Sequence, residues 1–346
     1  MTNYLFLTII SLVLCLSLFT WFQVRRIEQR YPATGDFTDV GGYRLHAVHL
    51  PKPKDADLPS LVFIHGASGN LHDQMQAFRS RLEGRAEMLF VDRPGHGWSG
   101  RPAKDGHLPE SQARAIAVLM EQKGISQAII IGHSFGGVIA LTMALEKPEK
   151  VAGLLLLSTP SHPWPGGVDW HYTFAATPFF GKIFTWLATM PAGLLQIRAS
   201  AQSVFTPNAF PQDYLQKTAT ALVLRPRTFR NNAADIAWLR RHVVKTSPHY
   251  KTIKKPTIIL TGEDDDVVSP TIHSGVLASD IEGARLIRLP GIGHKPDYAA
   301  TDLCIAALEE ISGKAADFLP TADPSAPLAD DALRGNQIPV RPSDPI

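Results

Sequence analysis

From Tyr4 to Phe22 the chain is apolar almost without a break (YLFLTIISLVLCLSLFTWF), and no charged side chain precedes Arg25. About 20 such residues cross a bilayer as a helix, and Tyr4 and Trp21 lie where interfacial aromatic side chains belong. A cleaved signal peptide carries a basic start and a small-x-small cleavage site; MTNY and SLFTWFQVRR supply neither. Lipoprotein processing at Cys15 wants a small residue before it, and Leu14 is large. A buried core helix would show an amphipathic stripe, and none is legible here. Residues 1–24 are therefore read as a transmembrane helix and 25–35 as a linker. Arg25, Arg26 and Arg30 all follow the helix, which places the main domain in the cytoplasm by the positive-inside rule.

The pattern then changes to short apolar runs separated by longer amphipathic ones. Strand-like runs cover Tyr43–His49, Leu61–His65, Met88–Asp92, Ala128–Gly132, Gly153–Ser158, Thr257–Thr261 and Arg285–Leu289. Several are continuous (LVFI, AIII, LLLL, TIIL), as in strands buried on both faces of a parallel sheet. Helical patterns over Ser111–Lys123, Phe135–Glu146 and Asp302–Ile311 lie between or after them, and Gly124 suits a helix C-terminus. This alternation predicts an α/β fold with a mostly parallel, doubly wound sheet. It breaks between Thr159 and Lys255, a stretch with Trp164, Trp170, Phe174, Phe179, Phe180, Phe184, Trp186, Phe205 and Phe210 and no strand-like run. That stretch reads as short helices broken by proline, a helical cap inserted between two strands. The expected division is a core from 36 to 158, a cap from 159 to 255, the rest of the core from 256 to 314, and a Pro-rich disordered tail from 315 to 346.

Composition narrows the classes. The 346 residues carry 34 Lys+Arg against 32 Asp+Glu, a formal net charge of +2, which leaves no electrostatic footprint for nucleic acid. Hydrophobic residues at 45% exclude disorder throughout. Two cysteines, Cys15 and Cys304, exclude a disulfide scaffold and a Cys-rich zinc site. The oligomeric state is left open.

Gly132-His133-Ser134-Phe135-Gly136-Gly137 follows the apolar strand AIII and opens a helical pattern. A serine on so sharp a strand-to-helix turn needs small flanking residues, and the new helix points its N-terminus at the hydroxyl, favouring developing negative charge. Upstream, His65-Gly66-Ala67-Ser68-Gly69-Asn70 also follows a strand. Such a loop brings a second backbone N–H over the site, so the expected oxyanion donors are Phe135 and Ala67. Ser68 and His133 are expected substrate contacts. A serine nucleophile needs a base, and His294, in the Gly-flanked loop PGIGHKP after the last strand, is the histidine best placed to be aimed. An acid to orient it lies among Glu263, Asp264, Asp265 and Asp266; like charges so close cannot all be buried, and spacing does not choose between them. Arg225, Arg227, Arg230, Arg240 and Arg241, late in the cap, are read as solvating a helix face.

The motifs GDFTDVGGYRLHAV, HGASGN, VDRPGHGWS, GHSFGG, TGEDDDVVSP and GIGHKP, in this order over residues 36–313, make the chain resemble α/β-hydrolases of the abhydrolase-1 type with a cap domain. The resemblance implies Ser134 as nucleophile, His294 as base, Ala67 and Phe135 as oxyanion donors, and Asp265 as the acid, three residues after the Gly that ends its strand. It implies that Asp92, Arg93 and His96 support a loop. It needs no metal and no cofactor. Relatives that open epoxides or remove halide use an Asp nucleophile, so Ser134 argues against both chemistries. The expected activity is hydrolysis of a small-molecule carboxylic ester through an acyl-enzyme, on a protein held in the lipid bilayer by its N-terminal helix. Alternatives are C–C bond hydrolysis, acyl transfer or perhydrolysis on the same triad, and a non-catalytic membrane-anchored binding protein.

Overall fold

The structure, a computed structural model, describes residues 2–314. The tail read at 315–346 lies outside the described residues. The chain opens with helix α1 (Thr2–Arg30), followed by β1 (Asp36–Asp39), β2 (Arg44–Leu50), β3 (Leu61–Ile64), α2 (Leu71–Leu82), β4 (Met88–Val91), α3 (Pro109–Gln122), β5 (Ala128–His133), α4 (Phe135–Glu146) and β6 (Val151–Leu157). The insertion holds α5 (Trp170–Ala175), α6 (Phe180–Phe184), α7 (Met190–Ser203), α8 (Tyr214–Lys217) and α9 (Pro226–Thr246). The core resumes with β7 (Thr257–Gly262), α10 (Val276–Asp280), β8 (Arg285–Leu289), α11 (Pro296–Ala299) and α12 (Thr301–Ile311).

Among the described residues eight strands form one sheet in the order β1-β2-β4-β3-β5-β6-β7-β8. It is antiparallel at the β1–β2 and β2–β4 pairs and parallel elsewhere. The continuous apolar runs have the expected cause. Val62, Ile64, Ile130, Leu154 and Leu156 face one core layer with α3 and α4, through Ile116, Met120 and Leu141. Their neighbours Leu61, Phe63, Ile129, Ile131, Leu155 and Leu157 face the opposite layer with α2 and α12, through Phe78, Leu82 and Leu308. Strands covered by helices on both faces have no polar face to alternate with.

Three features differ from the expectation. The short edge strand β1 (DFTD) lacks an apolar run, and pairing to β2 through Phe37 and His46 makes it a strand. The region read as a linker from residue 25 is helical as far as Arg30. The cap contains one long helix, α9, of 21 residues, instead of short pieces alone. Its buried face mixes polar and apolar side chains (Thr228, Asn232, Asp235, Leu239, His242, Val243, Thr246).

Candidate active site

β5 ends and α4 begins around one residue, Ser134, held at φ 52°, ψ −121°. A side chain bearing Cβ is strained there. Ser134 N–H donates to the Leu157 carbonyl (2.8 Å), tying the turn to the neighbouring strand β6. The small flanking residues are required sterically: a Cβ on Gly136 would lie 2.0 Å from the Ile64 carbonyl oxygen, and one on Gly132 would lie 2.5 Å from Gly137 Cα. The turn crosses β3 closely, and only glycine lets it do so.

Ser134 and His294 line one cavity of about 1220 Å³ between the sheet and the cap, as do Ala67, Ser68, His133 and Phe135. Phe135 is the first residue of α4, so its N–H belongs to the helix-end donors that have no intrahelical acceptor. Of the four consecutive acids only Asp265 is buried. Its Oδ2 lies 2.8 Å from His294 Nδ1, while its Oδ1 accepts the N–H groups of Val267 (2.9 Å) and Val268 (2.8 Å). Burial opposes ionisation of Asp265, but the His294 hydrogen bond and charge, with the two backbone N–H donors, outweigh it and hold the carboxyl below its ordinary range. With Nδ1 turned to a carboxylate, His294 keeps Nε2 for proton transfer.

His133 is buried, and its Nε2–H donates to the carbonyl oxygen of His294 (2.8 Å). Its imidazole braces the loop that carries His294. Burial, reinforced by Lys295 and His294, drives its pKa well down and keeps it neutral. Ser68 has φ 59° and is tied to the cap, its N–H donating to Asn232 Oδ1 (2.7 Å) and its Oγ accepting from Asn232 Nδ2 (3.0 Å). The Asp92–His96 loop is structural in its contacts. Asp92 accepts from His46 Nδ1 (2.7 Å), Leu71 N (2.8 Å) and Trp98 N (2.8 Å). Arg93, fully buried, pairs with Asp235 of α9 (2.8 Å) and so joins cap to core.

Sequence reasoning missed a buried ionic cluster beside the site. Lys295 Nζ donates to Asp73 Oδ2 (2.8 Å) and faces Asp297 Oδ2 at 3.1 Å. Asp73 also accepts from the hydroxyl groups of Tyr214 (2.9 Å) and Tyr298 (3.1 Å). Asp73, His133 and Asp297 bring ligand-type atoms within 4.8 Å of one another, but the Lys295 ammonium already occupies the place a cation would take. The available signal was GIGHKPDY, a lysine and an aspartate directly after the histidine. Asp73, 222 residues away in sequence from Lys295, gave none.

A hydroxyl on a strained turn, an imidazole backed by a buried carboxylate and helix-end N–H groups around one cavity can attack an electrophilic carbon and stabilise the oxyanion that forms. Residues 59–296 match the family model of the alpha/beta hydrolase fold. The chain belongs to the α/β-hydrolase fold family. Among relatives of this α/β-hydrolase, "Lipase 3" of Moraxella sp. (strain TA144) is 26% identical over 241 residues, 68% of this chain and 71% of the relative. The 2-hydroxy-6-oxo-6-phenylhexa-2,4-dienoate hydrolase of Comamonas testosteroni is 25% identical over 264 residues, 75% of this chain and 87% of the relative. The enol-lactonase from Burkholderia xenovorans LB400 superposes with a TM-score of 0.63 at 19% identity, covering 79% of this chain and 98% of its own, a likeness of fold.

Proposed function

We propose that this α/β-hydrolase is a membrane-anchored serine esterase acting on a neutral, apolar acyl ester. The observation that carries the reading is a strained Ser134 and a His294 that line one cavity, with the His294 Nδ1 facing buried Asp265 behind it. In the proposed cycle Ser134 Oγ attacks the acyl carbonyl and His294 Nε2 takes the hydroxyl proton. Asp265 holds the imidazole tautomer and stabilises its cation. The N–H groups of Phe135 and Ala67 bind the oxyanion, a single such donor contributing about 3–4 kcal/mol. The proton passes from His294 to the departing alcohol, the acyl–oxygen bond breaks, and water repeats the sequence on the acyl-enzyme. Every step uses only groups of this chain and water.

The charge of the cavity supports a neutral substrate. Among its described lining residues Lys295 is the one Lys or Arg side chain, and Asp73 and Asp297 neutralise it. The dienoate hydrolase relative motivates a second reading, C–C hydrolysis on the same residues, but a carboxylate substrate would find no unpaired cation among those lining residues. For α1, the apolar run and the absence of charge before Arg25 support an anchor, and the three arginines after it support a cytoplasmic domain.

A fluorophosphonate probe should label the wild-type protein and not Ser134→Ala, which should also lose about 10⁶-fold in turnover. Absence of the adduct on folded wild-type protein would point to a non-catalytic binding role. Neutral acyl esters of graded length should be hydrolysed in preference to dienoates. The reverse preference would assign C–C hydrolysis.

A further inference from the structure

Helix α1 does not stand clear of the domain. From Asn3 to Cys15 it is exposed, whereas Leu16, Ser17, Thr20, Gln23, Val24 and Ile27 recur on one face and are buried or half-buried. This part of the molecule packs against residues 185–189, α7 and residues 220–224 of the cap, with Ile27 in one cluster with Met190 and Leu222. Below it, Glu28 pairs with cap Arg225 (3.3 Å), and the Tyr31 carbonyl accepts from Trp98 Nε1 (3.0 Å).

Residues 185–189 and α7, with α6, which packs on 185–189, and neighbouring α5, carry an uncovered apolar surface. Trp170 is 70% exposed, Phe179 66%, Phe180 63%, Ile183 45%, Trp186 40% and Leu195 86%. Large apolar side chains gathered on adjoining helices mark an interaction surface. The position of α1 selects the partner. With Phe22 at the membrane boundary, Leu16 lies about 9 Å inside it at 1.5 Å per residue. Cap residues packed on that stretch share its depth, which matches the roughly 5–10 Å reached by interfacial segments. Lys182, exposed between Phe180 and Ile183, has an apolar stem that lets its ammonium reach headgroups.

The exposed surface and the cavity also share a wall. Trp170 belongs to both. On α7, Leu195 is exposed while Gly193 and Ile197 line the cavity. We infer that the cap surface around Phe180 and Leu195 is seated in the interfacial layer of the bilayer beside α1, and that the acyl substrate enters the cavity directly from the lipid past Trp170. This rests on the anchor reading of α1.

The test uses the full chain in a Cys15→Ser background, Cys304 being buried, reconstituted in phosphatidylcholine vesicles. Single cysteines at Phe180→Cys, Leu195→Cys, Leu12→Cys and Glu83→Cys carry an environment-sensitive fluorophore. Glu83 is exposed and follows α2, at the opposite end of that helix from Asn70, which bonds the Thr218 carbonyl of the cap. Lipid-borne nitroxide should quench the probes at 12, 180 and 195 and spare the one at 83. Quenching at 12 without quenching at 180 and 195 overturns the inference and keeps the anchor. Quenching at 180 and 195 without 12 keeps the seated cap and removes the anchor. Quenching at none removes both. Cross-linking between copies through 180 or 195, with no lipid quenching there, overturns the inference in favour of a second copy of the chain. As a second readout, Phe180→Asp with Leu195→Asp should raise KM about tenfold for a vesicle-borne ester, leaving kcat and hydrolysis of a short water-soluble ester unchanged. Equal loss on both substrates overturns the entry route.

Discussion

At the residue scale, the acid of the site is decided by burial. Asp264 and Asp266 are exposed, while Asp265 is buried and bonded to His294. Asp265→Asn should lower kcat about 10⁴-fold by losing control of the imidazole tautomer, and Asp264→Asn should leave steady-state rates near wild type. Equal losses would remove Asp265 from the proposed role. The Lys295 cluster makes a different prediction. Lys295→Met leaves Asp73 and Asp297 buried without their cation, so urea melts should show a loss of about 3–5 kcal/mol. Adding Asp73→Asn and Asp297→Asn should restore much of it, because buried ionic groups are costly chiefly when one partner is missing. The motif GIGHKPDY carries the histidine, the lysine and one of its carboxylate partners, but nothing in it shows that Lys295 is a buried ammonium, since the other partner, Asp73, comes from α2.

At the element scale, the start of the insertion is pinned by His273, whose Nδ1 accepts the N–H groups of Ser161 and His162 at 3.2 Å. Burial, reinforced by His162, lowers its pKa from 6.5 to about 4. The unfolded chain thus binds a proton that the folded one refuses between pH 6.5 and about 4. The stability this group contributes is complete above pH 6.5 and falls away as the pH drops towards 4. Urea midpoints should fall across this window, and His273→Gln should flatten the slope; an unchanged slope would count against a neutral, accepting His273. The elements themselves were unevenly legible. β3, β5 and β7 read directly from their apolar runs because both faces are covered. β1 did not, because only its pairing to β2 makes it a strand. The buried stripe of α9 includes Asn232 and Asp235, whose partners Ser68 and Arg93 lie in core loops. Arg225, expected with its neighbours on a solvated face, is buried with its guanidinium 4.9 Å from the Trp98 ring centroid and paired with Glu28.

For the whole molecule, α1 is part of the cap interface as well as a candidate anchor. Deleting residues 2–15 should keep the fold and the fluorophosphonate reaction, because residues 3–15 are exposed. Extending the deletion through Tyr31 uncovers Ile27's partners Met190, Leu222 and Leu224 and leaves Arg225 without Glu28. The longer truncation should melt earlier and label more slowly with the probe; equal melting of the two truncations would show that the contact contributes nothing.

The sequence by itself determined the mostly parallel sheet and pointed to the stretch without strands between β6 and β7, to Ser134 on its turn and to His294, the residues proposed as nucleophile and base. These depend on local pattern: covered strands are apolar throughout, and a strained elbow tolerates only small flanking residues. Tertiary structure decided which of four acids is buried, that His133 braces the His294 loop, that Lys295 closes an ionic cluster, and that the apolar helix packs on the cap. Each of these joins residues far apart in the chain, and burial or charge pairing across such a distance leaves no local periodicity to read.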